Sequence, residues 1–419
     1  MSLTLRIFLA LVAGLVVGAA LPGEMGKPLL PISDAVGNLW LQALQMTIIP
    51  LIAGLLFTGI AQSVGQAGGG RVAARALLAF LALLVFSAGW SMLFVPLLLD
   101  WWPAPADAAA ALISNSAQAL SGQAAAVGEI KVDIGKWLLS LVPANIFEAL
   151  AKGEMLPVVT FIAVFALAAT RLDETRRGLL VNMFDAIKDA MLVLVGWIFL
   201  VAPLGVFALA ISVGIKAGLG AFGLLGHYIA VLASVQIGLI ILVYPLAMIF
   251  GRVGPLAFAR AVLPAQAVAV STQSSIASLP AIYDGAERLG LPEATSRVVL
   301  PLAVSIFRIT SPCANIAVVL YCGHLYGMEH STLAFVGALL ASLVAAVSTG
   351  GLPGSITFLA ACVPIANAMG VPIAVLPLLL AVELVPDIFR TLGNVTADLG
   401  VTAILSRNRT QAPLDLRGR

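Results

Sequence analysis

Charge is scarce in this chain. Asp, Glu, Lys and Arg together make up 10% of its 419 residues, where a soluble domain carries about 25%. That excludes a soluble globular protein and a disordered one. Cysteine is scarce as well: Cys313, Cys322 and Cys362 all lie inside apolar segments, which argues against a disulfide framework and for free, buried thiols. The three histidines are scattered, with no metal-ligand spacing. No HExxH, no GxSxG in a sensible context and no Gly-rich phosphate loop ending in Gly-Lys-Ser/Thr occurs, so nothing points to an enzyme or to a cofactor. The ten-residue alternating segments of a membrane barrel are missing. A net charge of +2 gives no argument for a nucleic-acid partner.

What remains is apolar. Hydrophobic residues are 61% of the chain and the mean hydropathy is +1.08. Charge-free runs cover 35–70, 76–99, 190–215, 217–251 and 331–382; each holds at least one span of about 20 apolar residues. The chain reads as an all-α polytopic protein whose first partner is the lipid bilayer. Its first 23 residues have the outline of a signal peptide, but a first transmembrane helix suits a multi-pass inner-membrane protein better. Arg71 and Arg75, Arg171, Arg176 and Arg177, and Arg252 and Arg260 mark cytoplasmic loops. Arg407, Arg409, Arg417 and Arg419 make the C-terminal tail cytoplasmic, and the acidic loop from Asp100 to Ile134 faces outside.

Periodicity predicts helices over 4–21, 37–62, 76–99, 136–170 (broken near Lys152-Gly153), 176–215 and 218–250. After Arg252 the pattern changes. Gly254–Gly290 is interrupted by Ser-Thr-Gln-Ser-Ser-Ile-Ala-Ser-Leu-Pro at 271–280, and Ser331–Gly370 by Ser-Thr-Gly-Gly-Leu-Pro-Gly-Ser at 348–355. Each limb of about 15 residues spans about 22 Å, short of a hydrocarbon core of about 30 Å. Irregular backbone at that depth is tolerated only where it is buried or lines a cavity, and paired broken segments point to a transporter site. The reading is two re-entrant hairpins alternating with helices 294–325 and 371–406, which makes a repeat.

The last of these helices carries Glu383, Asp387, Arg390, Thr391, Asn394 and Asp398 among Leu, Val, Ile, Ala and Gly. At about 100° per residue they share an arc of about 100°. Each charge costs at least about 2.5–3.5 kcal/mol at bilayer depth, which makes the stripe a candidate functional site. An ammonium group can pair with Asp387, and a carboxylate fits the bidentate fork of Arg390 as it would not fit a lysine.

Taken together, Trp40–Gln62, Leu141–Ala168, the two interrupted tips and Asp-Ile-Phe-Arg-Thr-Leu-Gly-Asn-Val-Thr-Ala-Asp at 387–398 resemble the dicarboxylate/amino acid:cation symporter family, the glutamate and aspartate transporters, over nearly the whole chain. The resemblance implies eight transmembrane helices, two hairpins in inverted repeats, a homotrimer and an elevator mechanism. It assigns 1–75 to scaffold helices 1–2, 76–99 to a transport-domain helix 3 and 100–216 to scaffold helices 4–5 with the outer loop 100–135. The transport domain continues with helix 6 (217–253), hairpin 1 (254–292), helix 7 (293–328), hairpin 2 (329–370) and helix 8 (371–406), and a tail follows over 407–419. The substrate positions it implies are Asp387, Arg390, Thr391, Asn394, Ser274, Ser275, Ser311, Gly351 and Pro353. Members restricted to C4-dicarboxylates lack the aspartate matching Asp387, so its presence favours an acidic amino acid.

The chain departs from the family at its cation sites. Sodium-coupled members carry Asn-Met-Asp-Gly-Thr in helix 7; here the five residues are Phe307, Arg308, Ile309, Thr310 and Ser311. Asn394, Asp398 and Thr349 survive from the sodium positions, but no bound metal is expected. Arg308 cannot be neutralised at accessible pH, and its guanidinium is expected to act as a tethered cation in place of sodium. Asp398 and Glu383 are the candidates for proton coupling. The alternatives are a sodium- or proton-coupled symporter of acidic amino acids or C4-dicarboxylates. Asp185, Lys188 and Asp189 read as a helix end facing water, His227 as a packed histidine, and Glu148 and Lys152 as structural. Gln273 and Ile388 occupy two places where relatives carry an arginine that orders the one at Arg390, so Arg390 must be held differently.

Overall fold

The computed structural model describes residues 3–21, 25–66, 70–106, 109–110, 142–152, 155–218, 220–348 and 354–406. These are helical, with no strand among them. The first half runs α1 (Leu3–Ala19), α2 (Leu30–Gln66), α3 (Gly70–Trp101), α4 (Ile146–Lys152), α5 (Met155–Ala169), α6 (Glu174–Leu200) and α7 (Ala202–Ala217). The helix anticipated over 176–215 is therefore two, bent by 56° at Val201. Pro203, in the first turn of α7, lacks the N–H that would continue the ladder. Most of the outer loop expected over 100–135 lies outside the described residues.

The second half runs α8 (Gly220–Gly251), α9 (Pro255–Thr272), α10 (Ser275–Arg288), α11 (Glu293–Ile306), α12 (Thr310–Leu325), α13 (Thr332–Ser348), α14 (Gly354–Met369), a 3-10 turn (Ile373–Val375), α15 (Leu376–Leu380) and α16 (Leu384–Ser406). α9 and α10 form the first interrupted pair. Gln273 breaks it in the left-handed conformation (φ 52°), and Ser274 caps α10 by accepting from the Ala277 N–H at 3.2 Å. A Cβ on Gly285 would lie 2.6 Å from the Ala261 carbonyl oxygen, and these two residues stand about equally far from the break, so the limbs run antiparallel. α13 and α14 form the second pair, of 17 and 16 residues; their tip, with Thr349, Gly351 and Pro353, lies outside the described residues. At 1.5 Å per residue these limbs are about 25 Å long, short of the core thickness.

By length and composition, three described helical stretches can cross a bilayer (Arg75–Trp101, Gly220–Gly251 and Glu293–Leu325), and four if the bent α6–α7 pair is one span. The packing falls into two groups. Helices α1, α2, α5, α6 and α7 pack mainly on one another; α3, α8 to α12 and α16 pack mainly on one another; α13 and α14 touch both. α1 and α7 approach backbone to backbone: a Cβ on Gly18 would meet the Ile211 carbonyl oxygen at 2.4 Å and the Gly214 Cα at 2.8 Å.

Sequence reading anticipated one continuous helix over 294–325. The structure breaks it: α11 ends at Ile306, Phe307 is extended (φ −95°, ψ 98°), and α12 starts at Thr310. Arg308 sits in that break.

Candidate functional site

Three backbone interruptions converge on α16. The tip of the α9–α10 pair reaches its start, where the Gln273 amide donates to the Leu384 carbonyl at 3.4 Å. The α11–α12 break lies alongside its middle, with the Thr310 hydroxyl donating to the Arg390 carbonyl at 2.9 Å and in contact with Asn394 Oδ1 at 2.7 Å. Gly393 permits this approach, since a Cβ there would lie 2.4 Å from Thr310 Cγ2 and 3.1 Å from an Ile240 side-chain carbon. The third irregularity is the run of tight turns from Ala381 to Glu383, whose N–H groups bond three residues back, immediately before α16.

Around this convergence the polar stripe is buried. Glu383, Arg390, Thr391, Asn394 and Asp398 are each at most 4% exposed, and Asp387 is 7% exposed. Arg390 is folded onto its own chain. Its Nη2 lies 2.5 Å from Glu383 Oε1, and its Nη1 is 3.7 Å from Asp387 Oδ1. The Tyr228 hydroxyl, from α8, donates to Glu383 Oε2 at 3.1 Å. Arg390 is thus ordered by Glu383 rather than by the arginine that the sequence lacks at Gln273 and Ile388. Among the described residues, Asp387 Oδ1, Arg390 Nε and Asn394 Nδ2 have no hydrogen-bond partner. Those orphaned atoms are a donor and acceptor set for a small polar ligand, because buried polar groups are otherwise nearly always satisfied.

Ser311 is buried on α12, where it accepts from the Asn315 amide at 3.2 Å. Ser274 and Ser275 stand at the first tip; Ser274 already serves as the cap. The Thr391 hydroxyl donates to the Asp387 carbonyl at 3.0 Å and stays in the stripe.

At the cation positions, Phe307 stacks on Phe80 with ring centroids 4.6 Å apart, an apolar packing role. The Ile309 carbonyl accepts from the Ser87 hydroxyl of α3. Asn394 Oδ1 accepts from the Thr310 backbone N–H at 3.1 Å. The Ile309 carbonyl and Asn394 Oδ1 are thus each engaged by a protein donor. Arg308 is half-buried, and its charge interacts with Asp387 and Asp398 and opposes Arg390. Both oxygens of Asp398 are fully buried without a hydrogen-bond donor among the described residues. No group of three His, Cys, Asp or Glu residues able to hold a metal occurs among the described residues.

Sequence reasoning missed three contributors. Tyr228 is a phenol in an apolar span, and Ser87 a hydroxyl in the charge-free run 76–99; either was a weak signal. Thr310 was noticed only as part of a motif, and its bonds to α16 are tertiary. His227, read as a packed histidine, is buried with Nδ1 3.0 Å from the Tyr321 hydroxyl and Nε2 3.0 Å from the Trp102 carbonyl. Asp185, Lys188 and Asp189, expected at a helix end, lie instead in the middle of α6, where Lys188 pairs with Asp185 and, at 3.3 Å, with Asp189.

Broken apolar helices meeting at a buried polar site are the arrangement of a membrane transporter. The family model for the sodium:dicarboxylate symporter family matches residues 3–408, and the chain belongs to that family. It is similar to the proton/sodium-glutamate symport protein of Bacillus subtilis (25% identical over 417 residues, 97% of this chain and 92% of the relative). It is similar to the proton/glutamate-aspartate symporter of Escherichia coli (25% over 417 residues, 97% and 92%). It also resembles C4-dicarboxylate transport protein 3 of Ralstonia nicotianae (27% over 429 residues, 99% and 92%).

Proposed function

We propose that the chain transports acidic amino acids without sodium, as a homotrimer working by an elevator mechanism in the plasma membrane, with the C-terminus cytoplasmic. The observation that carries the reading is Arg308 in the α11–α12 break, its charge interacting with Asp387 and Asp398, at a place whose neighbouring oxygens are held by Ser87 and Thr310. The cation is covalently supplied, so no dissolved metal is needed to balance Asp398. The Asn-Met-Asp-Gly-Thr ligands have no counterpart in Phe307 and Ile309, which offer no side-chain oxygen.

Asp387 takes the substrate ammonium, Arg390 its side-chain carboxylate, and Thr391, Asn394 and Ser311 neutral hydrogen bonds. Ser274, Ser275 and the tips of both hairpins, with Gly351 and Pro353, enclose the α-carboxylate. The two packing groups supply a scaffold and a moving body, the transport body comprising α3, α8 and everything from α9 onward.

A second reading is supported by the C4-dicarboxylate relative. A dicarboxylate lacks the ammonium that Asp387 offers to bind, which favours the amino acid. The test is titration of purified protein with L-aspartate, D-aspartate, glutamate and succinate, in sodium and in choline buffer. Aspartate binding of similar strength in both buffers is expected. Loss of more than about tenfold, about 1.4 kcal/mol, in choline refutes sodium independence. Succinate binding as tightly as aspartate refutes the substrate assignment.

A further inference from the structure

We infer that Asn315 is a positioning residue that makes the site choose a carboxylate over a carboxamide at the end of the substrate's side chain, by holding Ser311 so that its hydroxyl can only donate. The inference rests on the acidic amino acid reading above, in which Arg390 receives the side-chain carboxylate.

Three buried side chains form a chain of hydrogen bonds beside the polar stripe. Ser311 and Asn315 are four positions apart on α12 and so share a face. Asn315 Nδ2 donates to Ser311 Oγ at 3.2 Å. Asn315 Oδ1 accepts from the thiol of Cys362, on α14, at 3.8 Å. The thiol decides which end of the amide faces the serine. With the amide reversed, Nδ2 would face sulfur, a weak acceptor.

A serine hydroxyl has one proton and two lone pairs. Inside a helix the proton is often spent on the carbonyl one turn back, as Thr391 does at Asp387 and Thr402 at Asp398. Ser311 does not do this. Its oxygen accepts from Asn315, and its proton has no acceptor among the described residues. Buried donors are nearly always paired, so the acceptor comes from a ligand.

The neighbours say which ligand group. The charge of Arg390 acts on the thiols of Cys313, on α12, and Cys362. Thr310, next to Ser311, donates to the Arg390 carbonyl at 2.9 Å. The Ser311–Asn315–Cys362 chain therefore stands beside the arginine. A guanidinium has donors only, and Arg390 Nε is unpartnered among the described residues. Two donor groups side by side call for two acceptor oxygens. A carboxylate has both; a carboxamide has one, and its NH2 meets a donor. Without Asn315 the Ser311 hydroxyl turns freely and can offer a lone pair to that NH2, so the distinction fades.

The experiment titrates purified full-length protein with L-aspartate and L-asparagine and reads the ratio of the two affinities. The wild type is expected to prefer aspartate by about 100-fold or more. Binding asparagine as tightly as aspartate overturns the proposal. Asn315→Leu is expected to weaken aspartate about tenfold and asparagine little, so the ratio falls about tenfold. Ser311→Ala is expected to do the same, and the double variant no more than either alone, because Asn315 acts through Ser311. Losses that multiply in the double variant overturn the proposal. So does a wild-type ratio in Asn315→Leu, which is what a purely structural asparagine gives. Cys362→Ala keeps the test available if Asn315→Leu fails to fold. It frees the amide to turn and is expected to narrow the ratio about threefold, while Cys362→Ser, which keeps a donor, restores it. A ratio unmoved by Cys362→Ala overturns the proposal. A wild type that binds succinate and not aspartate sinks the acidic amino acid reading alone. The same variants then read succinate against its half-amide, succinamate, with the same outcomes.

Discussion

Replacing Arg308 by alanine isolates the built-in cation. In the structure Asp398 is 0% exposed, and neither of its oxygens receives a hydrogen bond among the described residues. The positive charge that acts on it is Arg308. Removing one member of a fully buried charge pair costs about 3–5 kcal/mol, because the other is left uncompensated, and the lower end applies to the half-buried Arg308. Arg308 also acts on Asp387, the residue assigned to the substrate ammonium, so part of the loss falls on binding. If about 3 kcal/mol reaches the bound state, aspartate affinity in choline falls about 100-fold. Asp398, freed of the guanidinium's charge, becomes available to a dissolved cation. The same variant is therefore expected to recover binding in sodium and to gain a sodium dependence that the parent lacks. The assay is a calorimetric aspartate titration in both buffers, beside a thermal unfolding scan in detergent. Arg308→Lys, which keeps the charge, separates electrostatics from shape. Unchanged affinity and unchanged unfolding in choline for Arg308→Ala refute the reasoning, because they mean that neither Asp398 nor the bound substrate depends on the guanidinium.

Arg390→Lys loses the planar fork toward both Glu383 and substrate; aspartate affinity is expected to fall by about 1.5–3 kcal/mol, read by titration. Gly393→Ala places a methyl group 2.4 Å from Thr310 Cγ2; overpacking of this kind costs about 1–3 kcal/mol, visible as a lower unfolding midpoint. His330 lies in the link between α12 and α13, with both ring nitrogens unpartnered among the described residues, and burial pushes its pKa below the ordinary histidine value. The unfolded chain then binds the proton better, so His330 erodes stability as pH falls through about 6.5 and has no effect well above it. His330→Phe is expected to flatten the unfolding midpoint between pH 7.5 and 5.5, measured in matched buffers.

The sequence by itself determined the solvent and the chemistry. Long charge-free runs require a bilayer, since that much apolar surface has no other stable environment. The spacing of Asp387, Arg390, Asn394 and Asp398 fixes one polar helix face, because the helical period is set by backbone geometry. The interruption at 271–274 marks a place where the ladder stops. The break at Gln273 and the Asp387-to-Asp398 stripe were legible for that reason.

Only the tertiary structure decided how the charges pair. Glu383 and Arg390 are seven positions apart on one polar face, but that face also offers Asp387, and the guanidinium sits 2.5 Å from the one and 3.7 Å from the other. Tyr228 comes to Glu383 from 155 residues away, and Thr310 to Asn394 from 84. The bend at Val201 and the break at Phe307 had only weak marks in the sequence, Pro203 for the one and the polar run Arg308–Pro312 for the other. Local pattern specifies which groups are polar and on which face. Which acid sits on which base is set by packing between distant helices, where the low dielectric makes every pairing matter.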